Sequence, residues 1–190
     1  MDGTLTVAVH DFPAIRAELG LDPSNTILES IALLPAARAA EVQARLEAIE
    51  LELARKGRPA EGAIALLESL RARGANLGIL TRNSFANAIE TLRACGLDGY
   101  FEHACVIGRE AAAPKPDPAG IHHLLRLWGI EPHQAVMVGD YRYDLLAGRA
   151  AGALTVYLDT AGAFPFAEHA DVSVRSLLAL AELLGPSVLR

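Results

Sequence analysis

From Gly62 onward, short uninterrupted apolar runs alternate with stretches whose apolar residues recur every three or four positions. The first pattern predicts strands buried on both faces, and the second predicts amphipathic helices. Ala63 to Arg73 reads as a helix with Ile64, Leu67 and Leu70 on one face and Gly74 at its end. Leu77 to Leu80 reads as a strand running into Thr81-Arg82-Asn83-Ser84, and Phe85 to Cys95 as a helix stopped by Gly96. Ala104 to Ile107 is a weak strand. Pro114, Pro116 and Pro118 hold a loop open until a helix from Pro118 to Trp128. Ala135 to Val138 is a buried strand ending at Gly139-Asp140, followed by a helix from Tyr143 to Ala151 and a strand from Leu154 to Leu158. Asp171 to Val174 and a helix from Leu177 to Leu184 complete the series. This alternation predicts an α/β fold, a doubly wound and mostly parallel sheet.

The stretch from Asp11 to Lys56 carries no strand signal. Pro13 to Leu19 and Thr26 to Leu33 predict short helices, and Pro35 to Lys56 a longer one whose proline sits where its missing N–H costs nothing. The expected organisation is therefore a sheet domain of residues 1–10 and 57–190, interrupted by a helical segment of residues 11–56.

Composition narrows the function. The chain has 190 residues, 52% hydrophobic and 21% charged, which suits a packed domain and not a disordered one. A net charge of −6 argues against a nucleic-acid surface. It leaves an anionic small molecule open, because a bound divalent cation reverses the local field. No apolar run approaches the roughly 20 residues of a bilayer span, and Met1-Asp2-Gly3-Thr4 has no leader character. No membrane association and a cytoplasmic protein are expected, either a monomer or a homodimer. Cys95 and Cys105 are too few for a disulfide framework and read as small buried residues.

Four clusters fall at predicted strand ends, where open α/β sheets bind ligands. They are Asp2-Gly3-Thr4-Leu5-Thr6, Thr81-Arg82-Asn83, Lys115 between Pro114 and Pro116, and Gly139-Asp140 with Asp144. Singly, each has an ordinary reading: a turn, a helix cap, a solvated lysine, a cap with an exposed acid. Together they supply what phosphoryl transfer needs. Asp140 and Asp144, one helical turn apart, present two acids toward one Mg²⁺. Lys115 brings a compact positive charge to phosphate, and Thr81 brings a hydroxyl at a turn whose amides face the same point.

In this order the four clusters resemble the haloacid dehalogenase superfamily, whose members are mostly phosphatases, and the resemblance spans essentially the whole chain. It implies that Asp2 is the general acid/base and reaches Mg²⁺ through its carbonyl, and that Gly3, Thr81, Arg82 and Asn83 lie at the substrate. It implies that Lys115 bridges phosphate and nucleophile, and that Asp140 ligates the metal with Asp144 beside it. The helical segment matches the family's small cap. Thr81 and Lys115 are only 34 positions apart, which leaves little room for a second one. Because halide leaves without a proton, the carboxylate at Asp2 implies phosphate esters rather than organohalides as substrates. The expected partner is a small phosphorylated metabolite, of the phosphoglycolate or sugar-phosphate type. The alternatives are a phosphosugar mutase of similar architecture and a non-catalytic protein that binds phosphate or metal.

One departure qualifies this. The family opens with an apolar strand running into Asp-x-Asp-Gly-Thr, and here Met1 occupies the "x". The nucleophilic aspartate would be residue zero, and the chain as given is expected to be inactive. In the family that strand lies centrally, between the strands ending at Thr81 and at Asp140. It would contribute about eight to ten ladder hydrogen bonds at roughly 1 kcal/mol each. The burial of two or three large side chains would add about 1.5–3 kcal/mol apiece. Against a total stability of about 5–15 kcal/mol, the expectation is that the natural start lies upstream. About ten residues earlier in the genomic frame, an apolar run should end in Asp.

Other residues stay outside the expected site. His122 and His123 are adjacent on a helix and do not face one point. His10 and Asp11, at the base of the helical segment, are candidates for substrate contact. Arg16 and Arg58 read as solvated cations, and Trp128 as helix packing.

Overall fold

Capping residues set the helices of the first region. A computed structural model describes residues 1–9 and 11–184; His10 lies outside the described residues. The Asp11 carboxylate accepts the Ala14 N–H at 3.0 Å and opens helix α1 (Phe12–Leu19), which Gly20 closes in the left-handed conformation. Thr26 and Glu29 cap each other at the start of α2 (Ile27–Ala32). Pro35 precedes α3 (Ala36–Ala54). Each helix turns its apolar stripe toward the other two, and Ile15, Leu19, Ile27, Ile31, Val42 and Leu46 form a core of their own. The chain enters and leaves this unit through a paired stem. The Val7 N–H donates to the Arg58 carbonyl at 3.0 Å, and the Ala60 N–H to the Leu5 carbonyl at 2.9 Å.

The remainder alternates as the apolar rhythm predicts. Helix α4 (Ala63–Ala72) leads to β1 (Ile79–Leu80), α5 (Phe85–Ala94) to β2 (Val106–Ile107), and α6 (Ala119–Trp128) to β3 (Val136–Gly139). Helix α7 (Arg142–Ala151), β4 (Leu154–Leu158), β5 (Val172–Val174) and α8 (Leu177–Leu183) complete the order. All strand pairs are parallel. Successive strand residues point to opposite faces. Ile79 and Val106 join a cluster with Leu67 of α4 and Leu92 of α5. Leu80 and Ile107 join another with Leu124 of α6 and Ala147 of α7. Val156, Leu158 and Val174 pack with Leu66 of α4 and Leu177 and Leu180 of α8. Helices thus cover both faces of parallel strands, which makes the chain a doubly wound α/β protein.

Four expectations need correction. The strand expected to be buried from Ala135 to Val138 is not, since Val136 is exposed and Met137 and Val138 are half-buried. The run from Leu77 to Leu80 yields a strand of two residues, and Ala104 and Cys105 belong to a 3₁₀ turn rather than to β2. Nor are the strands one continuous sheet. Among the described residues β1 pairs with β2, and β4 lies between β3 and β5, in two separate sheets. The reason lies between them. A cavity of about 470 Å³ separates β1 from β3. Its walls are mostly apolar, with Leu77, Ile79, Leu124, Trp128, Val138 and Leu177 among the lining residues and Arg73, Asn76 and Gln134 at places between them. A strand with a neighbour on one edge only has half the pairing to hold it straight, and β1 shortens accordingly.

Candidate active site

At the carboxyl end of this cavity the four sequence clusters meet. Met1 to Thr6 form a tight turn in which the Met1 carbonyl accepts the Leu5 N–H at 2.9 Å and the Thr6 N–H at 3.1 Å. Gly3 adopts φ 73°, and a Cβ there would lie 2.2 Å from Asp140 Oδ2. Only glycine lets the turn approach that carboxylate. Gly139 is excluded from substitution in the same way, since a Cβ would lie 2.2 Å from the Asp144 Cβ.

Hydrogen bonds lock the clusters together. Thr4 Oγ1 donates to Asp140 Oδ1 at 3.0 Å, which ties the first turn to the end of β3. Asp2 is held at both oxygens: Thr6 Oγ1 donates to Oδ1 at 3.0 Å, and Asn83 Nδ2 to Oδ2 at 2.8 Å. Asn83 belongs to the turn after β1, where its own N–H donates to Thr81 Oγ1 at 3.1 Å. Lys115 Nζ donates to the Leu80 carbonyl at 2.9 Å and to Asp144 Oδ1 at 2.6 Å. Thr81, Lys115 and Asp144 are buried. A buried pair of this kind is costly to break from one side. The other Asp144 oxygen accepts the Tyr141 N–H at 3.1 Å and caps α7.

The electrostatics follow from this crowding. Burial pushes the Asp140 carboxyl above the usual range, the Met1 amine pulls it back, and the charge of Asp144 raises it again. Burial lowers the α-amino group of Met1, and the Lys115 charge lowers it further, against the pull of Asp144, Asp2 and Asp140. Among the described residues Asp140 forms no ion pair with a side chain. A half-buried carboxylate so placed fits a hard divalent cation. Of the expected ligands, Asp2 was to reach the ion through its carbonyl and Asp144 to ligate it or stand beside Asp140. Asp2, Asp140 and Asp144 do not gather into one three-acid cluster among the described residues. Asp144 turns to Lys115, and both Asp2 oxygens are engaged, so Asp140 is the side chain that fits the ion.

Arg82 is half-buried, with its guanidinium carbon 5.8 Å from the centre of the Tyr143 ring. His122 is half-buried and His123 exposed on the same helix. Trp128 donates its indole N–H to Cys105 Sγ at 3.4 Å and packs in the core. Sequence reading missed the supporting roles of Thr4 and Thr6, and all of Arg109 and Glu110. The last two follow the end of β2, and that position was the available signal.

A sequence model described as haloacid dehalogenase-like hydrolase matches residues 5–152. The chain belongs to that family. This hydrolase is 31% identical over 191 residues to the uncharacterized hydrolase YOR131C of Saccharomyces cerevisiae, covering 97% of this chain and 88% of the relative. It is 38% identical over 129 residues to a plasmid-borne phosphoglycolate phosphatase of Cupriavidus necator, across 66% of this chain and 55% of the phosphatase. A crystal structure of a hydrolase from Pseudomonas syringae superposes with a TM-score of 0.77 at 22% identity, covering 96% of this chain and 94% of the other, a likeness of fold. No described helix is long and apolar enough to cross a membrane.

Proposed function

We propose that this hydrolase is a Mg²⁺-dependent phosphatase of small phosphate monoesters, of the phosphoglycolate or sugar-phosphate type. Its phosphoryl acceptor would be an aspartate on a strand that fills the cavity between β1 and β3. The observation that carries the reading is the linked set of Asp2, Thr81, Lys115 and Asp140 around the end of that cavity. The Cupriavidus relative is named for the same class of reaction.

In this reading Thr81 and the amides of its turn bind the phosphate oxygens, and Lys115 neutralises them. Asp2, steered by Thr6 and Asn83, protonates the leaving alkoxide and then takes a proton from water. Mg²⁺ held at Asp140 supplies charge neutralisation when bound. The apolar cavity is unsuited to a phosphate but suited to an apolar strand. Met1 lines it. The small helical unit of residues 11–56 would act as a lid.

The test joins an apolar strand ending in Asp directly ahead of Met1 and assays 2-phosphoglycolate, sugar phosphates and p-nitrophenyl phosphate. Turnover should require the strand, its Asp and Mg²⁺ together. Asp2→Asn in that protein should lower kcat by about 10²–10⁴-fold. A folded, strand-bearing protein that leaves the whole panel untouched with Mg²⁺ would defeat the phosphatase reading.

A further inference from the structure

The segment after β2 is tied at three points that the reaction as described does not use. The Arg109 backbone N–H donates to the Asn83 carbonyl at 2.9 Å. One residue on, Glu110 Oε2 accepts the Phe85 N–H at 3.1 Å at the start of α5. The Arg109 guanidinium crosses to the helical unit, where Nη1 donates to Glu50 Oε1 and Oε2 at 3.2 and 3.1 Å, and Nη2 stands 3.6 Å from Glu47 of the same helix. The Arg109 and Glu50 side chains are 12% and 11% exposed. Exposed ion pairs contribute little, whereas a largely buried pair in which one nitrogen bridges both carboxylate oxygens holds its geometry. Glu50 sits near the end of α3, and α3 packs against α5. The Asn83 whose carbonyl Arg109 holds is the residue whose amide holds Asp2 Oδ2 at 2.8 Å.

We propose that Arg109 is a positioning residue that couples the seating of α3 on the sheet domain to the placement of Asp2, through Asn83. This rests on the reading of Asp2 as the proton donor. With Glu50 seated, the guanidinium pins the Arg109 backbone, that backbone pins the Thr81–Asn83 turn, and Asn83 steers one Asp2 oxygen. When α3 lifts, the pin is lost and Asp2 is free to turn away. Proton delivery is thereby restricted to the seated state, in which bulk water is kept off the phosphoryl group.

Two measurements test the coupling separately from the phosphatase reading. In the 190-residue chain, NMR of the Asn83 side-chain amide should shift in Glu50→Gln, in Arg109→Met and in the double variant. The exposed Asn76 amide should stay still. In the strand-bearing protein the double variant removes both buried charges and should keep the melting temperature, yet lose about tenfold in kcat with KM within twofold. Arg109→Lys, which retains a charge for Glu50, should recover most of that loss. Unmoved Asn83 signals would overturn the coupling, as would a double variant with normal kcat or with a change confined to KM. If the parent protein turns over no phosphate ester, the phosphatase reading fails and the Asn83 signals alone decide the coupling.

Discussion

The helical unit and the sheet domain bury their apolar residues in different ways. In α1–α3 the stripes of three neighbouring helices close on one another, and Val42 and Leu46 reach 2% exposure within a single cluster. The residues of this core come from one stretch of about forty residues, so it is complete from local sequence even though α3 also packs on α5. In the sheet domain, Leu92, Leu97 and Leu145 are equally buried, but the apolar residues divide into three clusters around a cavity. Two strand edges face each other there without pairing. Burial by helices is satisfied within a neighbourhood, whereas burial by a sheet depends on a strand brought from elsewhere.

The contrast is sharpest if the cavity is filled. Joining the apolar strand ahead of Met1 should stabilise the sheet domain by on the order of 5 kcal/mol or more, raising Tm by about 10–20 °C. Hydrogen exchange should slow in β1 and β3 and change little in α1 and α2. Changing the strand's terminal Asp to Asn should keep the Tm gain, separating pairing from chemistry. Equal slowing throughout the helical unit would break the comparison.

Matched truncations come next in size. Leu46→Ala and Leu92→Ala each remove a fully buried leucine and should each cost about 2–5 kcal/mol. Urea unfolding should show Leu46→Ala loosening α1–α3 ahead of the sheet, while Leu92→Ala lowers the sheet transition itself. A single cooperative transition in both variants would show that the two regions fold as one.

The smallest effect is at the edge of the three-stranded sheet. The Thr155 hydroxyl, followed by the Thr155 N–H, holds the Asp171 carboxyl below its ordinary value of 3.8. The folded state therefore binds fewer protons there than the unfolded chain. The contribution is complete above the ordinary value and fades as pH falls through the lowered one. Asp171→Asn should cost about 1 kcal/mol at neutral pH and flatten the acid limb of stability against pH, followed by circular dichroism.

Much of the site was legible because its chemistry is attached to strand ends. Thr81, Lys115 and Asp140 stand out by type and by position after apolar runs, and the structure ties Thr81 to Asp2 through Asn83, Asp140 to the first turn through Thr4, and Lys115 to Asp144. Less could be read of what each acid faces. Asp140 and Asp144 look alike in sequence, yet one turns to Thr4 and the other to Lys115. Arg109 was invisible because its partner, Glu50, is 59 residues away on a helix of another unit.

Sequence alone determined the alternation of helices and strands, the all-helical character of the stretch after the first turn and the residue types at the site, because periodicity, caps and strand-end turns are encoded within a few positions of each other. The tertiary structure decided which carboxylate is left for a cation, how the helical unit is pinned to the turn that steers Asp2, and that the strands divide about a cavity. These depend on distances between residues far apart in the chain, and the spacing of apolar and polar positions carries no record of them.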